Sequence, residues 1–137
     1  MMTTQKDFEL KRLFEMASKK TKPKLELESV TRDRVASFMR SGGFVVQTEV
    51  KTPLGRIDVL VKEYSPTGQL TYHVVECKRH NDSNSIKHAI GQLREYAKHY
   101  SADNTKLYFC TSDTSSLSAE AKRVIESNPD ILYKVFT

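Results

Sequence analysis

Hydrophobic residues recur along the chain at two spacings, and each spacing predicts a different kind of element. Between Ile86 and Tyr100 they repeat every three or four positions, which predicts an amphipathic helix. Shorter apolar runs bounded by Pro and Gly, such as the run from Thr71 to Lys78, predict strands. In chain order, the predicted helices cover residues 5–20, 26–40, 86–100 and 116–127, and the predicted strands cover residues 44–50, 56–63, 69–78, 106–111 and 131–136.

The order of these elements is α-α-β-β-β-α-β-α-β, which predicts an α/β protein with a mixed central sheet flanked by helices. Pro23 ends the first helix, and Gly42-Gly43 ends the second, whose apolar side is predicted to include Val35 and Phe38. A chain of 137 residues is long enough for one hydrophobic core but not for two. We therefore expect an N-terminal helix and basic linker over residues 1–24 and one core domain over residues 25–137.

Composition and charge narrow the classes of protein to consider. A hydrophobic content of 38% with 28% charged residues is typical of globular proteins, and no apolar run approaches the ~20 residues that cross a bilayer. The N-terminus lacks the pattern of a signal peptide, so we expect a cytoplasmic protein with no membrane partner. Two cysteines, Cys77 and Cys110, form neither a disulfide framework nor a zinc site, and both are expected to be buried. The net charge of +5 suits a polyanionic partner.

Two neighbouring predicted strands carry charged residues at one end, where the surrounding residues are apolar. Asp58 lies near the start of one strand, and Glu76 and Lys78 lie at the end of the next. Because side chains alternate along a strand, Glu76 and Lys78 share a face and Cys77 points the other way. Buried charges are costly unless they pair or hold a metal, and Mg²⁺ prefers carboxylate oxygens. The pattern predicts a metal-dependent site that hydrolyses phosphodiester bonds.

Three segments around these residues match a known pattern. Gly55-Arg56-Ile57-Asp58, Val74-Val75-Glu76-Cys77-Lys78 and Gln92-Leu93-Arg94-Glu95-Tyr96 together resemble the motifs of the PD-(D/E)xK nuclease superfamily, which has a restriction-endonuclease-like fold. The Gln-x-x-x-Tyr pattern is similar to that of its RecB-like branch. Ile57 stands where the motif usually has Pro, and the resemblance covers residues 26–111.

The resemblance implies a Mg²⁺-dependent deoxyribonuclease in which Mn²⁺ can substitute, and an endonuclease rather than an exonuclease. It implies that Asp58, Glu76 and the backbone carbonyl of Cys77 hold the metal and that Lys78 positions the attacking water. The partner would be DNA, and a core of this size is expected to form a homodimer or higher oligomer. Two other functions stay open: a catalytically inactive nucleic-acid-binding or accessory protein of the same fold, and an adaptor that binds proteins through its first helix.

Further residues have a functional and a purely structural interpretation. Gln92 and Tyr96 lie one turn apart and would support Lys78 or the attacked phosphate, or else be a solvated Gln and a half-buried Tyr. His88, one turn earlier, would contact a phosphate or simply be exposed. The resemblance also implies a carboxylate from the helix before the first strand, which Glu28 fits best and Glu26 second.

Basic residues near the site and in the linker are candidates for phosphate contacts, although runs of charge are usually solvated surface. The candidates are Lys19, Lys20, Lys22, Lys24, Arg56, Arg79 and Lys87.

Overall fold

The computed structural model describes residues 27–100 and 104–137, and the elements in them follow the predicted order. The helices are α1 (Glu28–Ser41), α2 (Ser83–His99) and α3 (Ala119–Glu126). The strands are β1 (Val45–Thr52), β2 (Gly55–Tyr64), β3 (Leu70–Lys78), β4 (Asn104–Thr111) and β5 (Ile131–Val135). The predicted first helix, the basic run Lys19–Lys24 and Glu26 lie outside the described residues, so the domain boundary at residue 24 stays a prediction.

The five strands form one mixed sheet in the order β1-β2-β3-β4-β5. β1, β2 and β3 are antiparallel neighbours joined by short turns, whereas β3, β4 and β5 are parallel. Parallel neighbours need a long crossover, and α2 and α3 supply the two that this sheet requires. The predicted α/β class and mixed sheet are confirmed. None of the helices in the described parts of the chain is long and apolar enough to span a membrane.

Each face of the sheet is covered by a separate set of buried side chains. On one face, strand residues such as Leu60 and Val74 pack against Leu93 of α2 and Ala121 of α3, and we call this set the α2 core. On the opposite face, α1 packs on the set that we call the α1 core: Val35, Val59, Val61, Val75, Cys77 and Cys110. The two cysteines are therefore buried in the α1 core, as predicted, and both are free thiols.

The predicted apolar side of α1 is wrong in part. Val35 is fully buried, but Phe38 is 61% exposed. The helix instead buries Thr31, Val35 and Ala36. Thr31 is satisfied there because its hydroxyl lies 2.7 Å from the Ser112 hydroxyl, just beyond the end of β4. This hydrogen bond satisfies a polar residue that faces the sheet, so the buried side of the helix includes Thr31 instead of Phe38.

β2 and β1 both change faces partway along their length. Ile57 belongs to the α2 core and Val59 to the α1 core, although residues two apart in a regular strand share a face. The irregularity lies at Asp58 in β2 and at Glu49 in β1, which has a left-handed φ of 53°. The ladder pairs Thr48 with Val59 and Val50 with Ile57, leaving Glu49 and Asp58 between those two pairs. A non-glycine residue in this conformation costs about 1–3 kcal/mol, so the surrounding structure must hold it in place.

The end of the β1–β2 hairpin consequently lies against α2. The Tyr96 hydroxyl donates a hydrogen bond of 2.9 Å to the Arg56 carbonyl oxygen. Gly55, with φ of +136°, lies so close that a Cβ there would be 3.0 Å from the Tyr96 hydroxyl oxygen. Glycine is required at this position both by its conformation and by the close approach of Tyr96. The contact fixes the segment that leads into Asp58.

Candidate active site

Asp58 and Glu76 meet where the pairing of β2 with β3 ends. The last ladder pair toward this end joins Val59 to Val75, so both carboxyl groups lie directly beyond it. Asp58 Oδ2 accepts a hydrogen bond of 2.8 Å from the backbone N–H of Cys77. This bond holds the two strands together after the ladder ends and places the carboxylate of Asp58 beside β3.

Glu76 is an acid in a setting that disfavours its charge. Only 3% of the residue is exposed. Burial raises the pKa of Glu76 to about 9, helped by the hydrogen bond to Asp58 and its negative charge, while Lys78 acts in the opposite direction. Without a metal, burial and the nearby charge of Asp58 thus favour the protonated form of Glu76. A divalent cation, if Asp58 and Glu76 held one, would favour the charged form of Glu76 instead.

Lys78 completes the cluster from the same face of β3. Its Nζ lies 3.9 Å from Glu76 Oε2, at the outer limit of an ion pair, and its side chain is 16% exposed. The same Nζ lies 3.2 Å from Nδ1 of His88 on α2. The ammonium is thus held between β3 and α2, and it retains hydrogen atoms to donate to a water or to an anion.

On α2, His88, Gln92 and Tyr96 lie one turn apart along one side, near this cluster. His88, Gln92 and Tyr96 also line an open cavity of about 400 Å³ on the surface. Within the described residues, Gln92 Oε1 is buried and has no hydrogen-bond partner. Such an acceptor usually marks a place for a water or a ligand group. Tyr96 is 2% exposed and is a core residue of α2, with its hydroxyl bonded to Arg56.

Two of the predicted metal ligands have less direct support. Cys77 is fully buried with its side chain in the α1 core, as the alternation of β3 requires, which leaves only its backbone for a metal. Glu28 is exposed in the first turn of α1, and its negative charge contributes slightly to the raised pKa of Glu76. In residues 27–100 and 104–137, no group of three or more His, Cys, Asp and Glu is arranged to hold a metal.

The donors that lie together nevertheless suit one kind of ion. Two carboxyl groups, Asp58 and Glu76, meet in a largely buried position next to the main chain of Cys77. Mg²⁺ is commonly bound through one or two carboxylates while it keeps several waters. The residues present therefore fit Mg²⁺, and Mn²⁺ as its substitute, and the roles of Glu28 and Cys77 stay predictions.

The predicted phosphate-contact residues differ in whether the protein already pairs their charge. Arg56 has a side chain that is 58% exposed and forms an ion pair of 3.2 Å with Glu49. Lys87 Nζ forms a surface ion pair with Glu120 Oε1 at 2.7 Å. Arg79 is half-buried, and its Nε has no hydrogen-bond partner among the described residues.

Two residues near the site were not identified from the sequence. Arg32 on α1 lies 3.0 Å from Glu49 Oε1, and Glu49 is the residue with left-handed backbone next to Asp58 in the ladder. Neither carries a sequence signal, because Glu49 stands in an ordinary alternating strand pattern and the ion pair joins residues from separate elements. The contact of His88 with Lys78 likewise depends on packing of α2 on β3.

Comparison with solved structures shows the same fold in other proteins. A crystal structure of a repair endonuclease from Pyrococcus abyssi is 18% identical with a TM-score of 0.56, over 85% of this chain and 49% of that one. A protein of unknown function is 20% identical with a TM-score of 0.58, over 78% and 57%. EndoMS in a complex with double-stranded DNA is 17% identical with a TM-score of 0.52, over 85% and 48%. The chain thus spans about half the length of these structures.

Family comparison gives a more specific result. No match is found among curated proteins. The family model of the PD-(D/E)XK nuclease superfamily matches residues 26–116. This range includes both strands of the carboxyl pair, Lys78, and the whole of α2. Because the match extends over most of its length, the chain belongs to the PD-(D/E)XK nuclease superfamily.

Proposed function

We propose that this protein is a divalent-metal-dependent DNA nuclease that acts as an endonuclease. The observation that carries the proposal is the pair Asp58 and Glu76, which lie together beyond the last ladder pair of β2 and β3 with Glu76 almost fully buried. Proteins rarely bury two acids side by side unless a cation or a proton compensates them. Lys78, 3.9 Å from Glu76, supplies the third charged group.

Asp58, Glu76 and the Cys77 carbonyl would hold Mg²⁺, or Mn²⁺ in its place. When bound, such an ion lowers the pKa of a coordinated water and neutralises charge on a phosphate. Lys78 Nζ would orient the attacking water or donate to a phosphate oxygen, because it lies 3.9 Å from Glu76, which shares its strand. His88 Nδ1, at 3.2 Å, would keep that ammonium in place.

Gln92 and Tyr96 would act on the α2 side of the site. The Oε1 of Gln92, which has no partner in the part of the chain that the structure describes, would accept a hydrogen bond from the attacking water, and Tyr96 would fix the strand segment before Asp58. The same two residues are the basis for placing the chain in the RecB-like branch. That placement and the role of Glu28 are proposals.

Support for DNA as the partner comes from two directions. The chain carries a net charge of +5, and one of the solved structures that share its fold is a complex with double-stranded DNA. The charge provides attraction to phosphates without sequence preference. Self-association into a homodimer stays a prediction, which light scattering on the purified protein would check.

The test is a cleavage assay on labelled linear duplex, branched, single-stranded and covalently closed circular DNA. We expect cutting with Mg²⁺ or Mn²⁺, none with EDTA, and binding without cutting with Ca²⁺. Cutting of a closed circle would establish an endonuclease. Cutting that persists undiminished after complete metal removal, or that survives Glu76→Gln, would contradict the mechanism. Binding without cutting in any metal would favour the inactive nucleic-acid-binding alternative.

A further inference from the structure

Two arginines from different elements converge on a single carboxylate oxygen beside the active site. Arg32 Nη1, from α1, lies 3.0 Å from Glu49 Oε1. Arg56 Nη1, from β2, lies 3.2 Å from the same oxygen. We call Arg32 and Arg56 the arginine pair. Guanidinium groups arranged around one anionic oxygen form a geometry that accepts a phosphate oxygen equally well.

The arginine pair lies next to the carboxyl cluster. Glu49 is in the ladder position opposite Asp58, and Arg56 is two residues before Asp58 in β2. Arg32 lies close enough to Asp58 to sense its charge: burial tends to lower the pKa of Arg32, but Asp33, Glu49 and Asp58 together outweigh burial and raise it. A nucleic-acid strand whose phosphate reached Asp58 would therefore bring a neighbouring phosphate to the arginine pair.

Stability alone does not explain why Glu49 occupies this place. The Glu49 side chain is 45% exposed and that of Arg56 is 58% exposed, so this ion pair contributes little to folding. The pair with Arg32, whose side chain is 19% exposed, shares the same half-exposed carboxylate. The Glu49 backbone is moreover held in a left-handed conformation that glycine would adopt without strain. A strained residue beside a site suggests a functional constraint.

We propose that the arginine pair binds the backbone phosphate adjacent to the one that is attacked, and that Glu49 occupies this anion position until the phosphate displaces it. The proposal rests on the proposed nuclease function. A phosphodiester and a carboxylate each carry one negative charge, so a phosphate oxygen can take the place of the Glu49 carboxylate oxygen between Arg32 and Arg56. Glu49 then keeps the two guanidinium groups oriented in the free protein and competes with the substrate for them.

The experiment measures binding of the full-length protein to labelled single-stranded and duplex DNA by fluorescence anisotropy, with Ca²⁺ in place of Mg²⁺ and over a range of salt concentrations. Arg32→Gln and Arg56→Gln should each weaken binding and lower the log–log salt slope by about 0.7 to 0.9. Glu49→Gln should tighten binding by about threefold, because the competing charge is removed. Glu49→Gly should tighten binding similarly. Because glycine adopts the left-handed backbone without strain, this second variant tests the same effect even if Gln does not fit the site.

Arg40→Gln is the matched control, because Arg40 is an exposed arginine about two turns farther along α1. Its affinity and salt slope should equal those of the wild type. If either arginine variant retains wild-type affinity and slope, or if both Glu49 variants bind no tighter than the wild type, the displacement proposal is overturned, whereas wild-type cleavage in Mg²⁺ would leave the nuclease function intact. A wild-type protein that neither binds nor cuts DNA would overturn the proposed function and the arginine pair's role with it.

Discussion

β2 and β3 carry two clusters of polar side chains, one toward each end, and the clusters differ in how many of their polar groups have a hydrogen-bond or ion-pair partner. In the first, which we call the paired cluster, His73 Nε2 lies 2.8 Å from Glu63 Oε1, and His73 Nδ1 lies 2.7 Å from the Tyr108 hydroxyl. In the second, the open cluster, Asp58 and Glu76 oppose each other and Lys78 approaches Glu76 only to 3.9 Å.

The difference shows that burial of polar residues does not by itself indicate function. His73 is 9% exposed, yet both of its ring nitrogens have partners, so the paired cluster is complete within the protein. Glu76 is buried more deeply, and its burial and the charge of Asp58 favour its neutral acid against the opposing effect of Lys78. Among the described residues, Lys78 is the cation recorded beside Glu76, and it stands at 3.9 Å, so the negative charge of the open cluster is only partly compensated, which supports our proposal that it holds a cation.

The largest expected difference between the clusters is in catalysis. Lys78→Ala should lower the single-turnover cleavage rate by about 10²-fold or more, and Asp58→Ala and Glu76→Ala should bring it below detection. His73→Leu, in the paired cluster, should cut at the wild-type rate at temperatures where it remains folded. Equal losses from both clusters would mean that the comparison does not separate function from structure.

The next effect is on stability as a function of pH. The folded pKa of Glu76 is about 9, above its ordinary 4.5, so the native state retains an extra proton between these values. The unfolding free energy of the metal-free protein should therefore fall as pH rises through this window, by up to about 1.4 kcal/mol per pH unit from this group.

Glu76→Gln should remove that slope and make the metal-free protein more stable at pH 8, by an amount on the order of 3 kcal/mol. Urea unfolding in EDTA at several pH values gives the free energy of unfolding of the wild type and of the variant. The difference between the two values cancels the contributions of the other titrating groups. A Glu76→Gln variant with the same pH slope as the wild type would show that Glu76 is not the group whose pKa is raised on folding.

A stability change of the opposite sign is expected from the paired cluster. His73→Leu leaves the Tyr108 hydroxyl and the Glu63 carboxylate without their partner, and should destabilise the protein by about 1–3 kcal/mol. Thermal unfolding measures this directly. Tyr108→Phe, which removes the hydroxyl but keeps the ring, should cost less, and a smaller loss from His73→Leu than from Tyr108→Phe would contradict this account.

The smallest effect concerns the hydrogen bond that positions the strand before the open cluster. Tyr96→Phe removes the 2.9 Å bond to the Arg56 carbonyl and should lower stability by about 1 kcal/mol. Faster hydrogen exchange in β1 and β2 near Gly55 would accompany it if this bond holds the hairpin end against α2. Unchanged exchange there would show that packing alone holds it.

Much of this architecture follows from local patterns in the sequence. The spacing of Ile86, Ala89 and Leu93 predicts α2 because these residues form one side of a helix, and all three are buried. The start of α2 at Ser83 rather than Ile86 follows from Asp82, whose side chain accepts from the Ser85 N–H at 3.2 Å. The positions of Asp58, Glu76 and Lys78 on adjacent strands were predictable because the turn between β2 and β3 is short.

Other features depend on contacts that no local pattern encodes. Simple alternation places Ile57 and Val59 on one face, but they lie on opposite faces because the hairpin end bends toward Tyr96. The left-handed conformation of Glu49 carries none of the usual signals, since it is neither Gly nor Asn. Its ion pair with Arg32 joins separate elements, so it can be found only once α1 and β1 are packed together.

The conformation of Glu49 also determines which amino acids position 49 can accept. Judged by strand propensity, Val or Ile would be the best choices in the middle of β1. At a φ of 53°, however, β-branched residues are the least suitable, whereas Gly and Asn adopt it readily. A redesign for strand propensity would restore an unbroken pleat and bring Ile57 into phase with Val59, away from α2. At this position, the residue that makes the better strand is the one that would misplace Asp58.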